Sequence, residues 1–78
     1  MQLTIKYFGM LAEATSTTEE VLETKICSVF ELVKTLKHQH PKLANTNFKI
    51  AVDQQLTDLN FIIKTNAEIA LLPPFAGG

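Results

Sequence analysis

The strongest fold signal lies in residues 28–41, whose sequence is SVFELVKTLKHQHP. Its first four residues match a capping box, in which Ser28 accepts from the backbone N–H of Glu31 and Glu31 accepts from that of Ser28. Apolar residues then follow at the spacing of one helix face, at Val29, Leu32, Val33 and Leu36. Because Pro41 forbids continuation, the stretch predicts one amphipathic helix that ends near His40.

Strand-like segments lie on both sides of this helix. Residues 3–8 alternate, which predicts Leu3, Ile5 and Tyr7 on one face and Thr4, Lys6 and Phe8 on the other. A weaker strand signal occupies residues 19–25, at an exposed sheet edge. A short strand is predicted at residues 48–52, and a strong strand segment at residues 68–72. Shorter segments predict a helical turn at 10–14, a loop at 44–47, a turn at 53–55 and a tight turn with a left-handed residue at Asn66.

This order of elements predicts an α+β domain. The economical arrangement is a β-grasp, with one main helix packed on a mixed sheet of four to five strands. We expect residues 1–72 to form this domain and residues 73–78 to form a flexible C-terminal tail. A chain of 78 residues makes one core only, with no room for a deep enclosed pocket, so a self-sufficient enzyme is not expected.

The net charge and the residue counts limit the classes of partner and site that the chain could have. The net charge is −1 and all seven basic residues are lysines, which argues against nucleic acid as the main partner. The single Cys27 forms no internal disulfide, and one thiol with two histidines is too few for a structural zinc site. We therefore expect no metal site. No stretch is long and apolar enough for a membrane span or a signal peptide, so a cytoplasmic location without membrane contact is expected.

Three groups of reactive side chains have simpler interpretations than catalysis. His38 and His40 suit the negative end of the helix dipole, against an alternative anion or metal site. Cys27 precedes the helix cap at the spacing of a hydrophobic staple with Leu32, which favours a structural thiol. The acids Glu13, Glu19, Glu20 and Glu23 are interpreted as solvated loop and edge-strand residues.

The C-terminal sequence, Pro73-Pro74-Phe75-Ala76-Gly77-Gly78, is less easily explained as a plain flexible end. Two prolines force an extended path, and Phe75 lies beyond any strand that could bury it. A terminal Gly-Gly can thread a channel too narrow for other dipeptides. The pattern therefore predicts a tail that presents the carboxylate of Gly78 to a partner.

With these residues in view, the whole chain resembles the small subunit of molybdopterin synthase, the MoaD-like, ubiquitin-like sulfur carriers. The resemblance rests on the strand that ends in Tyr7-Phe8-Gly9 with Glu13 soon after, on Ala51-Val52-Asp53-Gln54, and above all on residues 70–78, ALLPPFAGG. Many relatives have an arginine just before the acid that corresponds to Glu13 and an Asp-Gly turn before the last strand. This chain has Ala12 and Asn66-Ala67 there.

The resemblance implies a β-grasp fold and a specific chemistry. A ubiquitin-activating-like adenylyltransferase is expected to use ATP in trans to adenylate the carboxylate of Gly78. Gly77, which has no side chain, keeps the chain narrow beside this carboxylate. The chain itself is expected to bind no cofactor tightly. Sulfur from a donor protein then replaces AMP to give a thiocarboxylate. The large synthase subunit uses that sulfur to form the dithiolene of molybdopterin on a cyclic pyranopterin. The implied assembly is a heterotetramer whose sulfur-donating subunit is this chain.

A partner interface is predicted beside the tail. In a β-grasp sheet the first and last strands are parallel neighbours, so Phe8 and Leu72 should lie side by side on the face away from the helix. Phe75 adds a third apolar group, and similarity to the family's interface adds Leu56. Such a cluster at the base of a functional tail predicts a docking patch for the large subunit.

Two other functions remain open from the sequence. One is a sulfur carrier for thiamine synthesis or tRNA thiolation, which shares the fold and the Gly-Gly ending, although the Leu-Leu-Pro-Pro stretch favours the molybdopterin branch. The other is a ubiquitin-like protein modifier or pure interaction module, which would be conjugated to lysines rather than sulfurated.

Overall fold

The elements of the fold are taken from a computed structural model that describes residues 1–74. In chain order they are β1 (Gln2–Tyr7), α1 (Met10–Thr15), β2 (Glu19–Glu23), β3 (Cys27–Ser28), α2 (Val29–Gln39), a 3-10 helix (Pro41–Asn45), β4 (Lys49–Val52), β5 (Gln55–Thr57), β6 (Ile62–Ile63) and β7 (Ala67–Leu72). No helix formed by residues 1–74 is long and apolar enough to cross a lipid bilayer.

The main sheet has five strands in the order β2-β1-β7-β4-β5. Its central pair, β1 and β7, is parallel, while the other neighbouring strands run antiparallel. β3 and β6 form a separate two-stranded sheet. With α2 as the main helix, this topology is the predicted α+β β-grasp.

The alternating patterns of the two central strands bury one face of the sheet. Leu3, Ile5 and Tyr7 of β1 are buried, as are Ile69 and Leu71 of β7. The predicted helix stripe lies in the same core, where Val29, Leu32, Val33 and Leu36 are all buried. The sequence prediction for both elements is therefore confirmed.

The predicted capping box starts α2. The Glu31 backbone N–H donates to Ser28 Oγ at 3.1 Å, and the Ser28 backbone N–H donates to Glu31 Oε1 at 3.0 Å. These hydrogen bonds from Ser28 hold the pKa of the Glu31 carboxyl below its ordinary value, because they stabilise the charged form. The cap thus satisfies two backbone donors that the first turn of a helix leaves unpaired.

The sequence predicts one of two turns correctly and the other wrongly. The turn between β4 and β5 is confirmed: Asp53 and Gln54 have φ of 48° and 72°, as a two-residue hairpin loop of the primed kind requires. The prediction of a left-handed Asn66 is wrong, since Asn66 is not among the residues of 1–74 with positive φ. Its side-chain Oδ1 instead accepts from the Gln2 backbone N–H at 2.8 Å, which ties the start of β7 to β1.

The segment after α2 differs from its sequence prediction. The sequence predicts a loop at 44–47, but a 3-10 helix extends over Pro41–Asn45. The reason is that Leu43 is fully buried and holds this turn against the core. Proline at its first position suits such a start, because a backbone N–H is not needed there.

Gly9 and Pro73 meet where the two central strands end. Gly9 has φ 57° and ψ −133°, a conformation that side chains with a Cβ rarely adopt. A Cβ on Gly9 would lie 3.2 Å from Pro73 Cγ, tighter than ordinary van der Waals contact. The backbone of Gly9 therefore forms the surface on which the chain leaves β7.

Replacing Ser28 with alanine should lower the free energy of unfolding by about 1 kcal/mol, the usual cost of losing an N-cap hydrogen bond. Urea unfolding followed by circular dichroism measures the change. Thr35→Ala is the matched control, because the Thr35 hydroxyl also bonds within α2, to the Glu31 carbonyl, but caps nothing. Equal stability of the two variants would show that the helix does not depend on its cap.

Replacing Gly9 with alanine should destabilise the fold by about 1–3 kcal/mol, because the residue combines an unfavourable φ with a close approach to Pro73. Thermal unfolding of the purified variant measures the loss. Ser16→Gly serves as the control, since Ser16 has φ 62° at the end of α1 and glycine adopts this angle without strain. A Gly9→Ala protein as stable as the wild type would contradict the assignment.

Candidate functional site

The candidate site lies where β1 and β7 end together. Their parallel register pairs Tyr7 with Leu71, and the Phe8 backbone N–H donates to the Leu71 carbonyl at 3.2 Å. The next positions along the two strands are Phe8 and Leu72, which therefore lie side by side as predicted. Phe8 is 45% exposed and Leu72 is half-buried.

Leu56 lies on the same face of the sheet, two strands away from β7. It pairs with Ala51 of β4, and Ala51 pairs with Ala70 of β7, so one row of side chains crosses the sheet on the side opposite the helix. Leu56 is 65% exposed at the edge of the sheet. We call Phe8, Leu56, Ala70 and Leu72 the outer-face patch.

Charged groups border the outer-face patch. Lys6 pairs in register with Ala70, and its Nζ lies 3.1 Å from Glu68 Oε2 on the same strand as Ala70. Lys49, opposite Leu72 in β4, is exposed. Since the Lys6–Glu68 pair is more than a third exposed, it contributes little to stability and serves rather to fix charge beside the apolar residues. The combination of an apolar centre and a polar border is typical of a protein interface.

The tail begins directly at this patch. Pro73 and Pro74 follow β7 and are half-buried, with Pro73 against Gly9. The remaining predicted site residues, Phe75, Gly77 and Gly78, lie outside the described residues. The geometry therefore brings Phe8, Leu56 and Leu72 to one face.

A polar cluster that the sequence analysis did not predict ties the edge strand to the end of α2. Tyr7 Oη donates to Glu20 Oε2 at 2.5 Å, and His40 Nε2 lies 2.6 Å from the same oxygen. The Tyr7 and His40 rings meet edge to face at 5.7 Å. Burial, and then the hydrogen bond and charge of Glu20, raise the pKa of Tyr7 well above its usual range.

This cluster corrects two interpretations. Glu20 was grouped with solvated acids, yet it is half-buried, because its position in β2 pairs it with Ile5 on the core side. His40 was interpreted through the helix dipole, but its imidazole pairs with the Glu20 carboxylate. Its side chain is 19% exposed, so the contact is shielded from water. No sequence signal identifies this cluster of Tyr7, Glu20 and His40, since it depends on the pairing of β1 with β2 and on the position of the end of α2.

The remaining reactive side chain is Cys27. Its side chain is half-buried and packs against the core next to the α2 cap. Burial and the nearby Glu31 carboxylate raise the pKa of the Cys27 thiol, against a smaller opposite effect of a hydrogen bond with Thr24. Because a thiol with a raised pKa is a poor nucleophile, the structural interpretation fits this environment. Within residues 1–74, no three His, Cys, Asp or Glu side chains come close enough to hold a metal ion.

Comparison with known proteins places these features in a family. The model of the ThiS family matches residues 5–78, which is nearly the whole chain. The human molybdopterin synthase sulfur carrier subunit is 30% identical over 99% of this chain and 94% of its own length. The protein of the same name from Mycobacterium tuberculosis is also 30% identical, over 100% of this chain and 99% of its own.

Solved structures share the fold. A putative molybdopterin converting factor subunit 1 from Pyrococcus furiosus superposes with a TM-score of 0.88 at 20% identity, over 95% of this chain and 98% of that one. SAMP1 from Haloferax volcanii, a small archaeal modifier protein, gives 0.85 at 20% identity with both chains fully covered.

A complex of subunits 1 and 2 of the molybdopterin-converting factor from Helicobacter pylori gives a TM-score of 0.71 at 25% identity, again with full coverage of both chains. Similarity at the sequence level thus extends from end to end, and the β-grasp topology agrees with it. The chain belongs to the ThiS family, and the curated relatives that it matches over its whole length are molybdopterin synthase sulfur carrier subunits.

Proposed function

We propose that this chain is the sulfur carrier of a molybdopterin synthase and that Gly78 is the residue that carries the sulfur. The observation that supports this most strongly is its end-to-end similarity to two curated sulfur carrier subunits. The structure adds that β7 ends beside an apolar patch, which is where a carrier must hold its partner while the tail reaches into a separate active site.

The proposed chemistry first activates the Gly78 carboxylate, which is a poor electrophile. The Gly78 carboxylate oxygen attacks the α-phosphate of ATP on an activating enzyme, which releases pyrophosphate and leaves an acyl-adenylate. A hydrosulfide-level sulfur from the donor protein then attacks the acyl carbon, and AMP departs. The thiocarboxylate sulfur then bonds to a carbon of a cyclic pyranopterin on the large subunit, and water that attacks the acyl carbon breaks the acyl C–S bond and restores the Gly78 carboxylate.

The chain itself supplies position rather than a complete active site. Among the described residues, the charged groups that border the outer-face patch are Lys6 and Glu68, which are paired with each other, and Lys49. Lys6 and Glu68 line an open depression beside the start of β7, which does not enclose a substrate. We therefore assign catalysis to the partner subunits, while the β-grasp domain docks and delivers the tail.

The large synthase subunit is the partner that the outer-face patch fits best. The patch is apolar at its centre, contains one aromatic side chain, and borders the start of the tail. Contacts at such a patch hold the end of β7 against the partner. The Helicobacter pylori structure, a complex of subunits 1 and 2 at 25% identity, supports this choice of partner.

Incubation with an activating enzyme, ATP and a sulfur donor should raise the intact mass by about 16 Da, the difference between one sulfur and one oxygen atom at an activated carboxyl group. Intact-mass spectrometry measures the change. Deletion of Gly78 is the matched control: it should abolish the mass increase and leave the thermal unfolding curve unchanged, because residues 1–72 contain the folded core.

An unchanged mass with an enzyme that is active on another carrier would refute the sulfur-carrier assignment. Isopeptide-linked adducts on lysines of other proteins, in place of the thiocarboxylate, would identify a protein modifier. A thiocarboxylate that serves thiazole formation or tRNA thiolation, but not dithiolene formation with a large subunit, would identify the other carrier branch.

Truncation of Phe8 or Leu72 to alanine should weaken binding of the large subunit by about 1–3 kcal/mol, the range for losing an interface anchor, with little loss of fold stability. Calorimetric titration measures the affinity. Val21→Ala is the control, because Val21 is 62% exposed on β2 but lies outside the outer-face patch. If Val21→Ala weakens binding as much as the patch variants, the interface lies elsewhere.

A further inference from the structure

A second apolar surface lies on the helix side of the sheet, away from the outer-face patch. Val33 and Ile50 form its buried floor, and Phe30, Phe48 and Leu59 form its walls. We call these five residues the helix groove, which encloses a volume of about 250 Å³. Phe30 and Leu59 are 50% and 49% exposed. Large apolar side chains left this open around a concavity indicate a surface for a ligand group.

The two walls are held in place by the backbone. The Phe30 backbone N–H donates to the Leu59 carbonyl at 3.0 Å, so the first turn of α2 and the segment after β5 cannot separate freely. Phe48 is half-buried and packs against the core. The groove is therefore formed before any ligand arrives, which lowers the entropic cost of binding.

The rim of the helix groove is positive. Lys34 Nζ lies 5.3 Å from the centre of the Phe30 ring, and Lys37 Nζ lies 5.8 Å from that of Phe48. The other polar lining residues are Thr46 and Asn47, so no carboxylate lines this volume. Within residues 1–74 neither lysine forms an ion pair, since the salt bridges there join Lys6 to Glu68 and His40 to Glu20.

The groove continues toward β5. Phe48, Ile50 and Leu59 also line an adjoining recess of about 450 Å³, whose further lining includes Thr57, Asp58 and, at the sheet edge, Leu56. Thr57 Oγ1 has no hydrogen-bond partner among the described residues, but it is sealed from solvent and offers no contact to a ligand in this structure.

We propose that the helix groove binds a short acidic segment of a partner protein. A bulky apolar side chain of that segment fills the space between Phe30, Phe48 and Leu59, and its flanking carboxylates pair with Lys34 and Lys37. The concave shape fits a single side chain better than the flat surface of a membrane. A nucleic acid is disfavoured because the chain has no arginine and a net charge of −1.

This site is independent of the sulfur-carrier function. The groove lies against the helix, whereas Phe8, Leu72 and the start of the tail lie on the opposite face of the sheet. Leu56, at the sheet edge, is the patch residue that also lines the adjoining recess. A partner in the groove therefore leaves the tail accessible. Binding in the groove and sulfur transfer are measured in separate experiments, so either proposal can be refuted without the other.

The test is a titration of the isotopically labelled full chain, followed by nuclear magnetic resonance. The probe is a blocked peptide in which a Leu-Phe pair precedes a run of Asp and Glu. We expect shift changes confined to the amides of residues 30–37, 46–50 and 57–59. The double variant Lys34→Glu/Lys37→Glu should weaken binding by about five- to tenfold, the effect of losing two exposed ion pairs.

Matched variants control for general charge and general hydrophobicity. Lys25→Glu/Lys64→Glu makes the same charge change at two exposed lysines outside the groove and should leave the affinity unchanged. Phe30→Ser should weaken binding, whereas Ile26→Ser, at a residue that is 65% exposed outside the groove, should not. Dispersed amide spectra of each variant establish that it is folded.

Several results would overturn the proposal. One is the absence of binding at millimolar concentrations of the peptide. Another is a set of chemical-shift changes centred on the outer-face patch. Equal binding of a peptide with Lys in place of Asp and Glu would remove the charge argument. Sedimentation with phosphatidylserine vesicles that depends on Lys34 and Lys37, with no binding of the peptide, would assign the surface to a membrane.

Discussion

The parallel pairing of β1 with β7 is the constraint on which the rest of the structure depends. It joins residues 3–7 to residues 67–71 across almost the whole chain, and the other strands of the main sheet flank this pair, with β2 beside β1 and with β4 and β5 beyond β7. Because the two strands run in the same direction, Phe8 and Leu72 reach the same end of the sheet. The site at the start of the tail is therefore a consequence of topology. Forming this pairing brings together strands from near the two ends of the chain, which is entropically costly.

Local patterns were sufficient to predict the elements that this pairing organises. The alternation from Leu3 to Tyr7, the stripe from Val29 to Leu36 and the Ser28–Glu31 cap each depend on residues a few positions apart, and all are present in the structure. The position of Phe8 beside Leu72 could also be predicted, because it needs only the direction of two strands. Asn66 was predicted wrongly because its side chain bonds to Gln2, a residue distant in sequence.

The polar contacts were not predictable for the same reason. Tyr7, Glu20 and His40 come from three different elements, and nothing in the spacing of these residues indicates that they share one carboxylate oxygen. The helix groove likewise combines residues of α2 with Phe48 and Leu59. Lysines such as Lys34 and Lys37 look like ordinary solvated helix residues until their aromatic neighbours are known. Sequence patterns thus define which face of an element is buried, whereas the surface between two elements requires the fold.

The direction of β1 also separates the two ends of the described chain in space. Met1 donates from its amino group to the Thr24 carbonyl at 2.8 Å, at the far end of the sheet from Pro73. Six residues of extended strand lie between, a length of about 20 Å at roughly 3.3 Å per residue. An affinity tag or fluorophore attached ahead of Met1 would accordingly project away from both the outer-face patch and the exit of the tail, so it can report on docking without obstructing it.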